Sequence, residues 1–352
     1  MFQPHSSAVL GTNLKSWVPE DGDTFETSDG FIFNVFGYEH PQNRVFAFLK
    51  YTPAKFKTLF SINYLENAWK YEGQQVFRAE KLYTAYNYQT FLATFRTSFP
   101  DYVYCCPFRG KEVISSPVGS IRRIYDPKEC LDRLTKVHEK DGLQESALSL
   151  VKLLSDESDV GVDDFGLHGS IALNMHTSKS DIDLVVYGAQ NFRRLEAAIE
   201  RLVKSRRLSY ASKNRIEAAR RFKGKYGGRI FMYNAVRKLD EINSKYGLFK
   251  YFPLSHIQFT CSVKDDSETM FRPAIYKIEN YEPESAASKL ANEVTPHAVV
   301  SMIGCYRNVA RNGDRICVSG TLERVENVET GEIHHEVVVG TGTSEDERIW
   351  PI

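Results

Sequence analysis

Over the first 125 residues the apolar positions come in short runs broken by polar ones, the pattern of strands that pack on one side. The runs at 31–38 and 44–51 flank a loop at 39–43 whose composition suits a hairpin connection. Shorter runs follow at 102–105 and 111–114, and between 79 and 98 aromatic and apolar residues recur at helical spacing. The expectation for 1–125 is a small barrel or sandwich with one helix against it.

After residue 125 the period changes. Asp126 can cap the free amides of a helix and Pro127 fits its first turn. Leu131, Leu134 and Val137, then Ala147, Leu150, Val151 and Leu154, mark two amphipathic helices joined at Asp141-Gly142. Two buried strands are expected at 165–168 and 182–186, a helical run at 191–221, and another from 229 to 245 after a glycine break at 224–228. The run 256–263 alternates polar and apolar residues as a half-buried strand does. Beyond 270 strand patterns return at 315–322 and 335–340, on either side of a turn-like 327–331. A small barrel is expected there, and the OB type is one arrangement that fits. The whole reads as an α+β multidomain chain, with a central α/β domain at 126–270 between two small β-rich, barrel-like domains at 1–125 and 271–352. A length of 352 residues agrees, since one core rarely grows so large.

Composition narrows this little. The 45 basic and 45 acidic side chains cancel, so bulk charge names no partner, and the 22 Phe and 19 Tyr suit β-rich packing. Six cysteines without a CxxC pair argue against a zinc ribbon or a disulfide scaffold and fit a reducing compartment. There is no run of about eighteen apolar residues and no leader pattern at the N-terminus, so the expectation is a cytoplasmic protein with no membrane partner.

The chemistry concentrates between residues 165 and 187. After the strand at 165–168, Gly169-Ser170 forms a tight turn into a short helix reaching about Met175, where bare backbone and free amides can meet an anion. A polar loop, 176–180, then leads to Asp181-Ile182-Asp183 and an apolar strand. Carboxylates at i and i+2 of a strand share a face, so Asp181 and Asp183 can share hard cations while Ile182 anchors in the core. Phosphate turn and metal ligands side by side are what in-line nucleotidyl transfer needs.

This arrangement, Gly169-Ser170 followed after ten residues by Asp181-Ile182-Asp183, resembles the signature of the polymerase-β-like nucleotidyltransferase superfamily. More of the chain is similar to the predicted nucleotidyltransferases known mostly from archaea. The resemblance implies that Gly169 and Ser170 contact the phosphates of a nucleoside triphosphate and that Asp181 and Asp183 bind Mg²⁺ or Mn²⁺. Ser180, just ahead of the carboxylates, joins the nucleotide-binding set, and the neighbouring Lys179 could also touch phosphate, though polar residues are what any loop carries.

One part of the family pattern is absent from plain view. Active members carry a third carboxylate on a later strand, and the strand expected for it, 256–263, offers only His256, Gln258 and Thr260 on its polar face. Asp265, Asp266, Asp240 and Glu241 lie nearby in sequence, but spacing selects none of them. Two functions therefore stay open: an enzyme moving NMP to a hydroxyl acceptor, an RNA or DNA end among the candidates, or a catalytically degenerate fold that binds nucleotide or nucleic acid. Thirteen basic residues between Arg193 and Arg229 could follow a polynucleotide backbone or simply be a solvated face. His168 and His176 flank the turn and His334-His335 form a pair, though histidines so placed more often serve structure than metal.

Overall fold

The computed structural model describes residues 17–352 and is mixed α+β with several sheets. Residues 1–16, where a leader was looked for, lie outside the described residues. The first unit is an eight-stranded antiparallel sheet of β1 (Thr24–Thr27), β2 (Ile32–Val35), β3 (Arg44–Pro53), β4 (Trp69–Tyr71), β5 (Gln74–Phe77), β6 (Val103–Cys106), β7 (Lys111–Pro117) and β8 (Ile121–Tyr125). Its helix α1 (Ala85–Ser98) packs Phe91, Leu92 and Phe95 into a core with Phe25, Phe31 and Phe33. Phe31 alone stacks edge-on against Phe60, Phe95, Phe99 and Tyr102, so aromatic burial holds this unit together.

The second unit starts at α2 (Pro127–Lys136), whose first turn Asp126 caps by accepting from the Glu129 amide at 2.9 Å. In α3 (Gly142–Ser158) Asp141 and Gln144 form a reciprocal capping box. Then come β9 (Phe165–His168), the single turn α4 (Gly169–Ala172), β10 (Ile182–Tyr187), α5 (Ala189–Lys204), β11 (Ser209–Tyr210), α6 (Arg215–Arg220), β12 (Lys223–Tyr226) and β13 (Arg229–Val236). The sheet order is β11-β12-β13-β10-β9, with β10 parallel to β13 and antiparallel to β9. Its lower face buries Ile182, Leu184, Phe231 and Tyr233 against Leu150, Leu154, Phe192 and Leu195 of the helices. The segment 229–245, expected to be helical, is instead strand β13 as far as Val236 and then a loop with one 3-10 turn at Leu239–Glu241, and Gly227-Gly228 at φ 54 and 79° form the two-residue turn of a hairpin with β12. The helical run expected at 191–221 is likewise broken, by β11, into α5 and α6.

The third unit contains β14 (Phe249–Glu268), β15 (Ala274–Pro283), β16 (Ala298–Ser301), β17 (Arg315–Asn327), β18 (Ile333–Val339) and β19 (Arg348–Pro351). Pairing runs β14-β15-β16-β18-β17 and returns from β17 to β14, which closes a five-stranded ring, with β16 parallel to β18 and β19 added on β17. The strand at 256–263, looked for beside Asp183, is part of β14 and belongs to this ring, so the chain enters its third sheet at Phe249, ahead of residue 270. No helix among the described residues is long and apolar enough to cross a membrane.

Candidate active site

Register lines up one row of side chains across the second sheet. Lys223 pairs with Met232, Met232 with Asp183, and Asp183 with His168. Paired residues project from the same face, here the one opposite the helices. The first unit covers that face: Thr24 Oγ1 lies 3.2 Å from His168 Nε2, and Tyr38 packs on Val185, Tyr187 and Val236.

The turn after β9 comes directly against Asp183. Gly169 has φ +68°, and a Cβ built on it would fall 1.9 Å from Asp183 Oδ2. Only a residue without a side chain lets the turn and the carboxylate sit together. The helix after the turn ends at Ala172 rather than near Met175, so it offers a few free amides and almost no macrodipole. Ser180 is spent within its own loop, where Oγ accepts from the Thr177 amide at 3.0 Å. The exposed Lys179 gives its amide to Thr177 Oγ1. His176 points away and meets Asp141 at 2.8 Å.

Two cations that sequence reasoning missed come from the first unit. Lys50, on β3, is 8% exposed and feels the charge of Asp183; Arg78, just past β5, acts on both aspartates. A lysine at the end of the apolar run 45–49 was the available signal, since buried lysines are rare without a partner. Burial raises the Asp183 carboxyl above its ordinary range, with Lys50 opposing the rise and Asp181 adding to it. Burial also raises Asp181, against the pull of Lys223 and Lys213. The Lys50 ammonium is pushed down to about 8, by burial first, with Asp183 working against the shift. Burial, then Lys50, Arg272 and Arg307, keep His168 neutral. Of the basic run, Lys213 and Lys223 thus face the aspartates, while Arg193 and Arg207 are bound to Asp266 and Glu157.

Among the described residues no third carboxylate joins the pair. On the site face β13 presents Met232 and Asn234, and Asn234 Oδ1 accepts from Arg220 at 2.5 Å and Arg307 at 2.9 Å. The acids weighed from sequence are engaged elsewhere or turned to solvent: Asp265 with Lys277, Asp266 with Arg193, Glu241 with the amides of Ala189 and Lys238, Asp240 exposed. Among the described residues no group of three or more His, Cys, Asp or Glu could hold a metal, the 334–335 histidines included.

Residues 149–228 match the model of the nucleotidyltransferase domain family. An uncharacterised protein of Methanocaldococcus jannaschii is 29% identical over 340 residues, spanning 91% of this chain and 94% of its own length. No solved structure matches. The matched span runs from within α3 to the β12–β13 turn and encloses Gly169, Ser170, Asp181 and Asp183, so the part of the chain that is similar to nucleotidyltransferase domains is the part that carries the site.

Proposed function

We propose that the chain is a metal-dependent nucleotidyltransferase that moves a nucleoside monophosphate from a nucleoside triphosphate to a hydroxyl acceptor. The observation that carries this reading is the fit of Gly169 against Asp183, a turn of bare backbone against a buried carboxylate. Gly169 and Ser170 would take the triphosphate on their backbone amides, and Asp181 and Asp183 would hold Mg²⁺ or Mn²⁺. The residues fit such an ion: two carboxylates raised by burial gain from a divalent cation, and Mg²⁺ is commonly held by one or two carboxylates plus substrate phosphates. When bound, the ion supplies positive charge to the phosphate oxygens as a hydroxyl displaces pyrophosphate from the α-phosphorus. Lys50, Arg78 and Lys223 add fixed positive charge around the same oxygens, so that most of the rate would come from positioning and charge neutralisation. Ser180 would contact nucleotide only if its loop opens. Lys213 and Lys223 on the open side, with a closed ring of five strands that reads as an OB-type barrel, support a nucleic-acid end as acceptor.

A second reading has its own observation. Met232 and Asn234 stand where a third carboxylate would face the pair, which favours a protein that binds nucleotide without turnover. Incubating the protein with each α-labelled nucleoside triphosphate, Mg²⁺ or Mn²⁺ and cellular RNA separates the two. Label transfer that Asp183→Asn abolishes is the expected result. Metal-dependent nucleotide binding without transfer selects the second reading, and neither transfer nor binding sinks both.

A further inference from the structure

A cavity of about 800 Å³ lies between the first and third units, and none of Gly169, Ser170, Asp181 or Asp183 lines it. Its floor is the outer face of the barrel, where Glu323 of β17 and Glu336 of β18 are directly paired across the strands. Residues so paired place their side chains about 5 Å apart on one face. Glu323 is only 5% exposed, and its Oε2 is buried without a hydrogen-bond partner. A buried acceptor left unmet costs on the order of 1–3 kcal/mol unless something arrives to meet it. Glu347, beside them, is not available, because the amides of Gly340 and Thr341 and the hydroxyls of Thr321 and Thr341 saturate its carboxylate.

The first unit forms the facing wall. Arg109 stacks 4.4 Å over the Tyr251 ring, and Lys111 reaches only the Thr341 carbonyl, at 3.5 Å. Among the described residues neither forms an ion pair with a carboxylate. Both nonetheless act electrostatically on the Glu323 carboxyl. Phe46, Phe48, Val325 and Val338 add apolar lining to the same cavity.

Glu323 Oε2 has no partner, Glu336 has His334 Nε2 only at 3.9 Å, and Arg109 and Lys111 meet no carboxylate, so a single small molecule could serve both sets of groups. Paired carboxylates call for an ammonium group, and open guanidinium and ammonium donors call for a carboxylate. The carboxylate pair repels a triphosphate, so this is not a second seat for the nucleotide. We propose that the cavity binds a small amphoteric molecule of the amino-acid class, its ammonium between Glu323 and Glu336, its carboxylate toward Arg109 and Lys111, its apolar body against the aromatic wall. The acid pair agrees: burial, then the Glu323 carboxylate, push Glu336 up to about 8, a shift that an ammonium placed between them would reverse.

Calorimetry on the full chain with the free amino acids tests this, each compared with the amine and the carboxylic acid of the same skeleton. At least one amino acid with an apolar side chain should bind. Its singly charged analogues should bind on the order of tenfold to a hundredfold more weakly. Glu336→Gln and Arg109→Gln should each cause a loss of the same order, while Asp183→Asn binds as wild type, which separates this site from the nucleotidyltransferase reading. Should Arg109→Gln fail to fold, Glu336→Gln decides, since it mimics the protonated acid that the folded chain already holds near neutral pH. Absence of binding by every amino acid, or binding unchanged by Glu336→Gln, overturns the proposal.

Discussion

Gly169 and Asp183 occupy each other's space: the position of a Cβ on the glycine lies 1.9 Å from Asp183 Oδ2, and the glycine holds φ +68°. Gly169→Ala must therefore both strain the turn and push the carboxylate aside. The backbone part should cost about 1–3 kcal/mol of stability, measured by urea unfolding. The displacement should lower nucleotide transfer by on the order of a hundredfold, because small misplacements of reacting groups are expensive. Full activity in a folded Gly169→Ala protein would remove the turn from the site.

Much of this geometry was legible in the sequence because it is local. The capped starts of α2 and α3, the strands β9 and β10 and the Gly-Ser turn between them follow from residues within a few positions of each other. Strand β13 was misread because Ile230, Phe231, Tyr233 and Ala235 fit either period over eight residues; Gly227-Gly228 was the better signal, as a pair of glycines at positive φ closes a two-residue hairpin. Strand β14 was recognised as a strand but assigned to the wrong sheet, since pattern gives the period of a strand and not its partner. For the same reason the apolar run 45–49 signals only that Lys50 is headed for burial and not that Asp183 is its partner, since tertiary packing alone brings β3 over β10.

The position of Lys50 makes a separable prediction. Its ammonium is desolvated, with a pKa pushed down to about 8 by burial, so carrying the charge costs stability even as Asp183 favours it. Lys50→Met keeps the length and removes the charge. Unfolding stability near neutral pH should hold or rise, while nucleoside triphosphate affinity in the presence of Mg²⁺, read by calorimetry, should fall about tenfold. An unchanged affinity would mean that Lys50 serves only to balance Asp183.

Met232 offers the reverse experiment. It pairs in register with Asp183 and projects from the same face, so Met232→Asp would add a third carboxylate beside the pair. Like charges side by side should cost up to about 1 kcal/mol of stability without metal. With the extra ligand, Mn²⁺ affinity should rise by on the order of tenfold, and the gain should vanish in the Asp183→Asn background. If affinity does not move, the β13 row lies too far from the aspartates to share an ion with them.

The acid pair in the cavity predicts how stability depends on pH. Burial first, then Glu323, raise Glu336 from 4.5 to about 8 in the folded chain. Between those values the unfolded chain has released this proton and the folded chain has kept it, so stability falls as pH rises through the window and levels off above 8. The slope from this single group is at most about 1.4 kcal/mol per pH unit. Glu336→Gln mimics the protonated acid and lacks the slope, so its unfolding free energy, from urea titration, should match wild type near pH 5 and exceed it at pH 8 by up to about 4 kcal/mol. Curves that stay parallel from pH 5 to 8 would show that the Glu336 carboxylate already has a favourable partner in the folded chain. The reason to expect otherwise is that Glu323 and Glu39 oppose the Glu336 charge, Arg109 acts on it without an ion pair, and His334, 3.9 Å away, is itself held toward its neutral form by burial.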